Sequence, residues 1–436
     1  NAVRCASKLL LCHFGMRFQL EDRASLSTPW ADVGVSTDTM FTDTMFTGSL
    51  PFFQESQSDP LWSIDFMTLR RTLAFVALAL VAYAGMNRPL VAKDGFGLEA
   101  GAVTLKSAGP LAFGPPGILF VADPLAATVY AIDTGDRKGE PDAVEMDIDN
   151  IDAKLAGMLG IKKSEVNIVD LAVNPASGAT YLSVSRGRGP QAEAVLTQIL
   201  PTGEVEVLDL ENVTMAKSQI PNPPDATAKD RRGAPLRTMS VTDLAFLNSQ
   251  VVVAGLSNEE FASNLRSIPF PFQKSAAGTS VEIFHGAHGR YETNSPVRTL
   301  APITIQGEAF VVAAYTCTPL VKFPLSKLQS GEKVRGVTVA ELGNRNRPLD
   351  MVVYERDDKE FILMANSARG VMKISTEDIE RAEGIEARIQ GTAGQPYETV
   401  EGLNGVVQLD RLNQASAVIL MQSEDGARHL KTIALP

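Results

Sequence analysis

The sequence is poor in the residues that build covalent or cofactor-bearing folds. Only three cysteines, Cys5, Cys12 and Cys317, occur in 436 residues, and no C-x-x-C-H is present, so covalently attached haem is excluded. The two tryptophans, Trp30 and Trp62, both lie near the start. No apolar run reaches the roughly 20 residues that a permanent membrane-spanning helix needs. Bases are outnumbered by acids, 40 to 51, giving a net charge of −11, and no Lys/Arg stripe follows a phosphate backbone. Nucleic acid is therefore not an expected partner, and no permanent membrane anchor is expected. What the chain has is 44% hydrophobic and 21% charged residues, the composition of a globular protein with a substantial core. Its 34 glycines and 25 prolines sit slightly above ordinary usage, which suits a turn-rich β protein and excludes a collagen-like one.

The beginning differs from the rest. Residues 1–66 show no sustained period and contain the tandem copy Thr37-Asp38-Thr39-Met40-Phe41, Thr42-Asp43-Thr44-Met45-Phe46. They read as a disordered, non-native upstream extension. At Met67 a basic start, Arg70-Arg71, leads into the apolar run 72–81 and then Ala82-Tyr83-Ala84, the order of a secretory signal peptide with cleavage after Ala84. The expectation is a signal peptide over 67–84, a periplasmic or extracellular location, and one domain over 85–436. That domain would keep a single cysteine, Cys317, and so would be held by its core without an intrachain disulfide. A monomer is expected.

One pattern recurs through the domain: a short apolar strand, a tight turn, a second apolar strand, a polar loop and a third strand. The first copy runs 111–132 around Gly114-Pro115-Pro116-Gly117. Others start at Asp170, at Asp243 with the turn Asn248-Ser249, at Ile303 with Gln306-Gly307, at Asp350 with 356–359, and at Gly405 with Asn413-Gln414. Strands of about five residues joined by such turns are hairpin language. Six copies predict an all-β fold, a β-propeller of six or seven four-stranded blades with short helical insertions at 149–160 and 376–383, whose closure leaves only short edges. Residues 102–105 are expected to close the ring by pairing with the last unit.

The stretch Gly109-Pro110-Leu111-Ala112-Phe113-Gly114-Pro115-Pro116-Gly117-Ile118-Leu119-Phe120-Val121-Ala122-Asp123 resembles the blade core of secreted bacterial propellers of the NHL, YVTN and quinoprotein-like superfamily, with looser copies over most of 105–436. The resemblance implies a fold and transfers no catalytic residue, because such propellers host sensors, lyases, dehydrogenases and binding platforms alike. The Trp-rich blade motifs and paired cysteines typical of quinone-dependent dehydrogenases are missing from the domain, so that activity is not implied.

In a propeller, starts of first strands and ends of second strands share one face. This register makes Asp170, Asp243 and Asp350 equivalent and predicts a ligand-binding tunnel mouth formed by them with Arg186, Cys317, Arg347, Asn366 and Arg369. Asp170, Asp243 and Asp350 are candidate ligands for Ca²⁺ or another hard cation, or else bond their own strand starts. Arg345, Arg347, Asn366 and Arg369 concentrate donors that suit an anion. His285 and His288 supply two transition-metal ligands without an evident third. The loop 257–272, with Phe261, Phe270 and Phe272, is a candidate lid or packs on its own blade. No catalytic constellation is complete, and no cofactor is certain. The expected function is an exported platform for a small molecule or a protein, with a cation-assisted lyase or hydrolase as the alternative.

Overall fold

The computed structural model describes residues 96–273, 277–317 and 319–436, all within one compact unit that runs Asn87–Pro436. The expected extension 1–66 and signal peptide 67–84 lie outside the described residues. Six sheets of at least four strands each, antiparallel but for the parallel pairing of Thr279–His285 with Lys333–Arg335, form the blades of a closed ring. In ring order their first three strands are Leu111–Phe113, Ile118–Asp123 and Thr128–Asp133 in blade 1, and Asp243–Leu247, Gln250–Leu256 and Ser263–Pro269 in blade 2. Blade 3 has Val297–Ile305, Glu308–Tyr315 and Pro319–Pro324, and blade 4 has Pro348–Arg356, Lys359–Asn366 and Gly370–Ser375. Val406–Arg411, Ser416–Gln422 and Arg428–Ala434 make blade 5, and Val166–Val173, Thr180–Arg186 and Glu193–Ile199 make blade 6.

The local chemistry explains the hairpins. Asn248 and Ser249, with φ of 49° and 59°, form the tightest turns together with Asp357 and Asp358 at 53° and 58°, and Gln306 and Gly307 at 51° and 79°. Two consecutive left-handed residues match the twist of the flanking strands. The second strands are continuous apolar runs because both faces are covered: Ile118, Phe120 and Ala122 face blade 2, whereas Leu119 and Val121 face blade 6. Repeating this at each junction gives six apolar clusters, one between every pair of neighbouring blades.

The ring closes differently from expectation. After its third strand, blade 1 sends the chain away to give blade 5 its outer strand, Asp147–Ile148, which pairs with Arg428–Ala434. The chain then builds blade 6 and returns to supply blade 1's outer strand, Val213–Gln219, before continuing to blade 2. Residues 102–105 form no strand; Val103 donates its N–H to the Leu210 carbonyl. The insertion at 149–160 does form a helix, Ile151–Leu159, ended by Gly160 at φ 65°. At 376–383 only a 3₁₀ turn forms, Ile379–Arg381, because the Thr376 hydroxyl donates to the Glu360 carbonyl instead of capping a helix. The candidate lid is no lid. Ser263–Pro269 is the third strand of blade 2, and Phe270 packs edge-on to Phe120 at 4.9 Å in the junction with blade 1.

Candidate functional site: an acidic central channel

The first strands stand innermost and surround a central cavity of about 1120 Å³. Four aspartates of the first strands line it. Asp170, Asp243 and Asp350 come from blades 6, 2 and 4, alternate members of the ring, and Asp410 comes from blade 5. In blades 6, 3, 4 and 5 the pairing of the first strand skips one residue just before this level, at Val169, Arg298, Leu349 and Val407. Such bulges re-aim the following side chain. They put Thr299 and Gln408 at the level of the three aspartates.

Each carboxylate clasps two blades. Asp243 accepts the N–H of Leu244 in its own strand at 2.8 Å on one oxygen and that of Leu300 in blade 3 at 2.6 Å on the other. Asp350 does the same with Met351 and with Leu409 of blade 5, both at 2.8 Å. Asp170 accepts from Leu171 and, at 2.7 Å, from Leu111 of blade 1. Asp410, two residues beyond Gln408 and so on the same strand face, accepts from Arg411 at 2.7 Å and from Val173 of blade 6 at 2.7 Å. The Gln408 amide adds a bond to the Val169 carbonyl at 2.8 Å.

The four carboxylates are half-buried, enclosed by protein but touching the water of the channel. Asp142 and Glu360 add acid to the lining, where Arg411 is the single basic side chain. Burial pushes Asp243 up to about 7 and Asp410 up to about 6. Asp170 and Asp350 are raised well above the ordinary carboxylate range, first by burial and then by the like charges across the channel, Asp243 acting on Asp170 and Asp170 on Asp350. Desolvation and mutual repulsion outweigh the N–H bonds that favour the charged forms.

The other expected mouth residues do not line this cavity. Arg186 turns outward to Glu193 at 2.6 Å and to the Leu159 carbonyl. Asn366 is buried and spent on Asn346 Oδ1 at 3.1 Å and the Ala368 N–H. Arg369 lies against Gly343 and reaches the Asn344 carbonyl at 3.4 Å, and Arg347 is exposed with its N–H donating to Ser367. Cys317 is a free, half-buried thiol in a turn at φ 64°, where its N–H donates to the Asn346 carbonyl. Cys317, Arg347, Asn366 and Arg369 lie in loops at strand ends and bond to one another's loops, whereas the cavity is walled by first strands. The three aspartates also fall short of a compact ligand set. Among the described residues only His285, His288 and Glu292 bring three ligand atoms within 4.8 Å of one another. The aspartates sit on alternate blades, each pinned to its own junction, so the ring itself holds them apart. Sequence reading missed Asp410 because the first strand of the last unit was read as Gly405 to Leu409; the period-two spacing Gln408, Asp410 carried the signal.

No family model matches the chain, and no curated protein does. Solved structures similar to it include the PQQ-bound aldose sugar dehydrogenase from Streptomyces coelicolor, 13% identical over 78% of this chain and 98% of that one, with a TM-score of 0.32. The GH43 endo-arabinanase from Bacillus licheniformis is 10% identical over 62% and 94%, with a TM-score of 0.34, and a chain of the mitotic checkpoint complex is 9% identical over 80% and 95%, with 0.34. At these values the likenesses carry no argument about activity. The resemblance to secreted propellers holds at the level of the fold, which stands on the chain's own six sheets.

Proposed function

We propose that this is an exported β-propeller that binds a small cationic or hydrogen-bond-donating ligand in its acidic central channel. The observation that carries the reading is the convergence of Asp170, Asp243, Asp350 and Asp410 on one cavity. A carboxylate offers about four acceptor sites and the backbone N–H groups occupy two of them here, so acceptor capacity is left facing the channel. A concave cavity with a few converging polar groups is the usual form of a small-molecule site. A positive ligand offsets the burial and the repulsion that raise these groups, and it displaces their protons as it binds. Ca²⁺ held through its water shell and an organic diamine both satisfy this chemistry; an anion does not. Isothermal calorimetry of CaCl₂ and of 1,4-diaminobutane at pH 8 tests it. Saturable binding of either probe, lost in Asp170→Asn/Asp350→Asn, is expected. Absence of binding by both probes, or equal binding by the double variant, refutes it.

A second reading, a cation-assisted lyase or hydrolase, is favoured by one observation: a carboxyl pushed up to about 7, as at Asp243, is poised for general acid or base work near neutrality.

A further inference from the structure

At the outer edge of blade 2 the strand Thr279–His285 turns through Gly286-Ala287-His288-Gly289 into Arg290–Glu292. Glu292 pairs with Ile283, two residues before His285, so Glu292 and His285 share one strand face. The turn folds back on itself, the His288 and Gly289 N–H groups donating to the His285 carbonyl, and lays the two imidazoles together with ring centres 3.8 Å apart. Both rings aim Nδ1 at the same carboxylate: His285 lies 3.0 Å from Glu292 Oε2 and His288 2.6 Å from Oε1. Ser295 Oγ donates to Oε2 at 2.6 Å, and Arg290 Nε stands 3.4 Å from Oε1. Against the opposing effect of burial, the His285, Ser295 and His288 contacts hold Glu292 well below the usual carboxylate range.

A second observation sets this apart from a surface ion cluster. His285 is 2% exposed and its Nε2 has no hydrogen-bond partner. Glu341, 0% exposed and close enough for its charge to act on His285, accepts the Gly286 N–H but leaves Oε2 without a partner. Unpaired buried polar atoms are costly, and two beside one histidine call for an explanation. A side chain at Gly286 would meet the Glu341 carboxylate at 2.9 Å, so the turn and this buried carboxylate are closely packed.

We propose that His285, His288 and Glu292 form a binding site for a borderline-soft divalent transition-metal ion, Zn²⁺ foremost. Two imidazoles and one carboxylate make a donor set suited to zinc and unsuited to Ca²⁺ or Mg²⁺. Zn–N and Zn–O bonds of about 2.1 Å at tetrahedral angles separate the donors by roughly 3.4 Å, so an ion replacing the bridging protons spreads the present contacts by less than about 1 Å. With Nδ1 on the metal, His285 carries its proton on Nε2, and the acidic side chain of buried Glu341 lies close enough to act on it electrostatically. Entry is from the His288 side, whose side chain is 45% exposed. None of these residues lines the central cavity, so the inference is independent of the function proposed above.

The test is titration of the full chain with Co²⁺, read by its visible d–d bands, followed by Zn²⁺ competition. Comparison of the wild type with His288→Ala and Glu292→Gln isolates this hairpin from Cys5, Cys12 and His13 elsewhere in the chain. The wild type is expected to bind one Co²⁺ more than either variant, with tetrahedral bands that the variants lose and that Zn²⁺ abolishes. His288 is half exposed, so its alanine variant should melt as the metal-free wild type does. Equal stoichiometry and equal bands in all three proteins, or no binding by the wild type, overturns the proposal.

Discussion

The channel aspartates should make this protein lose stability as pH rises from 5 to 8, against the usual behaviour of carboxylates. Folding raises their pKa values, so the native state holds protons that the unfolded chain has shed, and stability falls wherever that difference exists. The contribution is complete below the unfolded value of 3.8 and is lost as pH climbs toward the folded one, about 7 for Asp243 and about 6 for Asp410. At about 1.4 kcal/mol per pH unit per proton, Asp243 loses about 3 kcal/mol between pH 5 and 7 and Asp410 about 1.4 between pH 5 and 6. Asp170 and Asp350 act in the same direction, as do Glu341 and Glu360, whose carboxyls are also raised, first by burial. Channel water relaxing around each new charge opposes them, leaving an expected fall of about 2 to 4 kcal/mol. Glu292 has the opposite sign, but its contribution is lost only below its ordinary value of 4.5, outside the window. Urea unfolding at half-unit steps of pH measures this directly. Asp243→Asn cannot ionise and should flatten the profile by roughly 1 to 2 kcal/mol across the window. A wild-type profile that is level or rising, or a variant as steep as the wild type, refutes the electrostatic account of the channel.

Two further outcomes are expected. Gly255→Ala should destabilise by about 1 to 3 kcal/mol in urea unfolding, because its Cβ would meet the Ser240 backbone carbonyl, which cannot swing aside; Gly157→Ala in the helix Ile151–Leu159, with nothing within 4 Å, should instead stabilise by about 0.5 to 1 kcal/mol. Expression in a bacterial host with N-terminal sequencing of the secreted product should find Gly85 first, and a product beginning upstream of Met67 would remove the export part of the proposed function.

Much of the architecture is local and was legible without coordinates. Asn248-Ser249 and Gln306-Gly307 tolerate left-handed backbone, so the hairpins they make are written in adjacent residues. The apolar strands 118–122 and 250–254 are short and uninterrupted because each faces two neighbouring blades, and a pattern repeated six times can satisfy that only in a ring. The placement of Asp170, Asp243 and Asp350 at one level of the first strands follows from the same register.

The tertiary structure decided what depends on partners far away in the chain. Asp147–Ile148 is only two residues long and gains its identity as a strand from Arg428–Ala434, some 280 positions later; nothing in its own neighbourhood specifies that pairing. Asp410 joined the channel because a skipped residue at Val407 set the face that Gln408 and Asp410 share toward it, and the sequence does not show which residue a bulge will skip. Arg369, promising as a mouth residue by register alone, was drawn to the Asn344 carbonyl in the connection from blade 3 to blade 4. Glu292 completes the histidine pair only because the hairpin folds Ile283 opposite it. Strand, turn and repeat are set by the chemistry of a few consecutive residues, which the sequence displays. Ring closure and side-chain convergence are settled by free energies of contact between distant segments, and these exist only once the chain has folded.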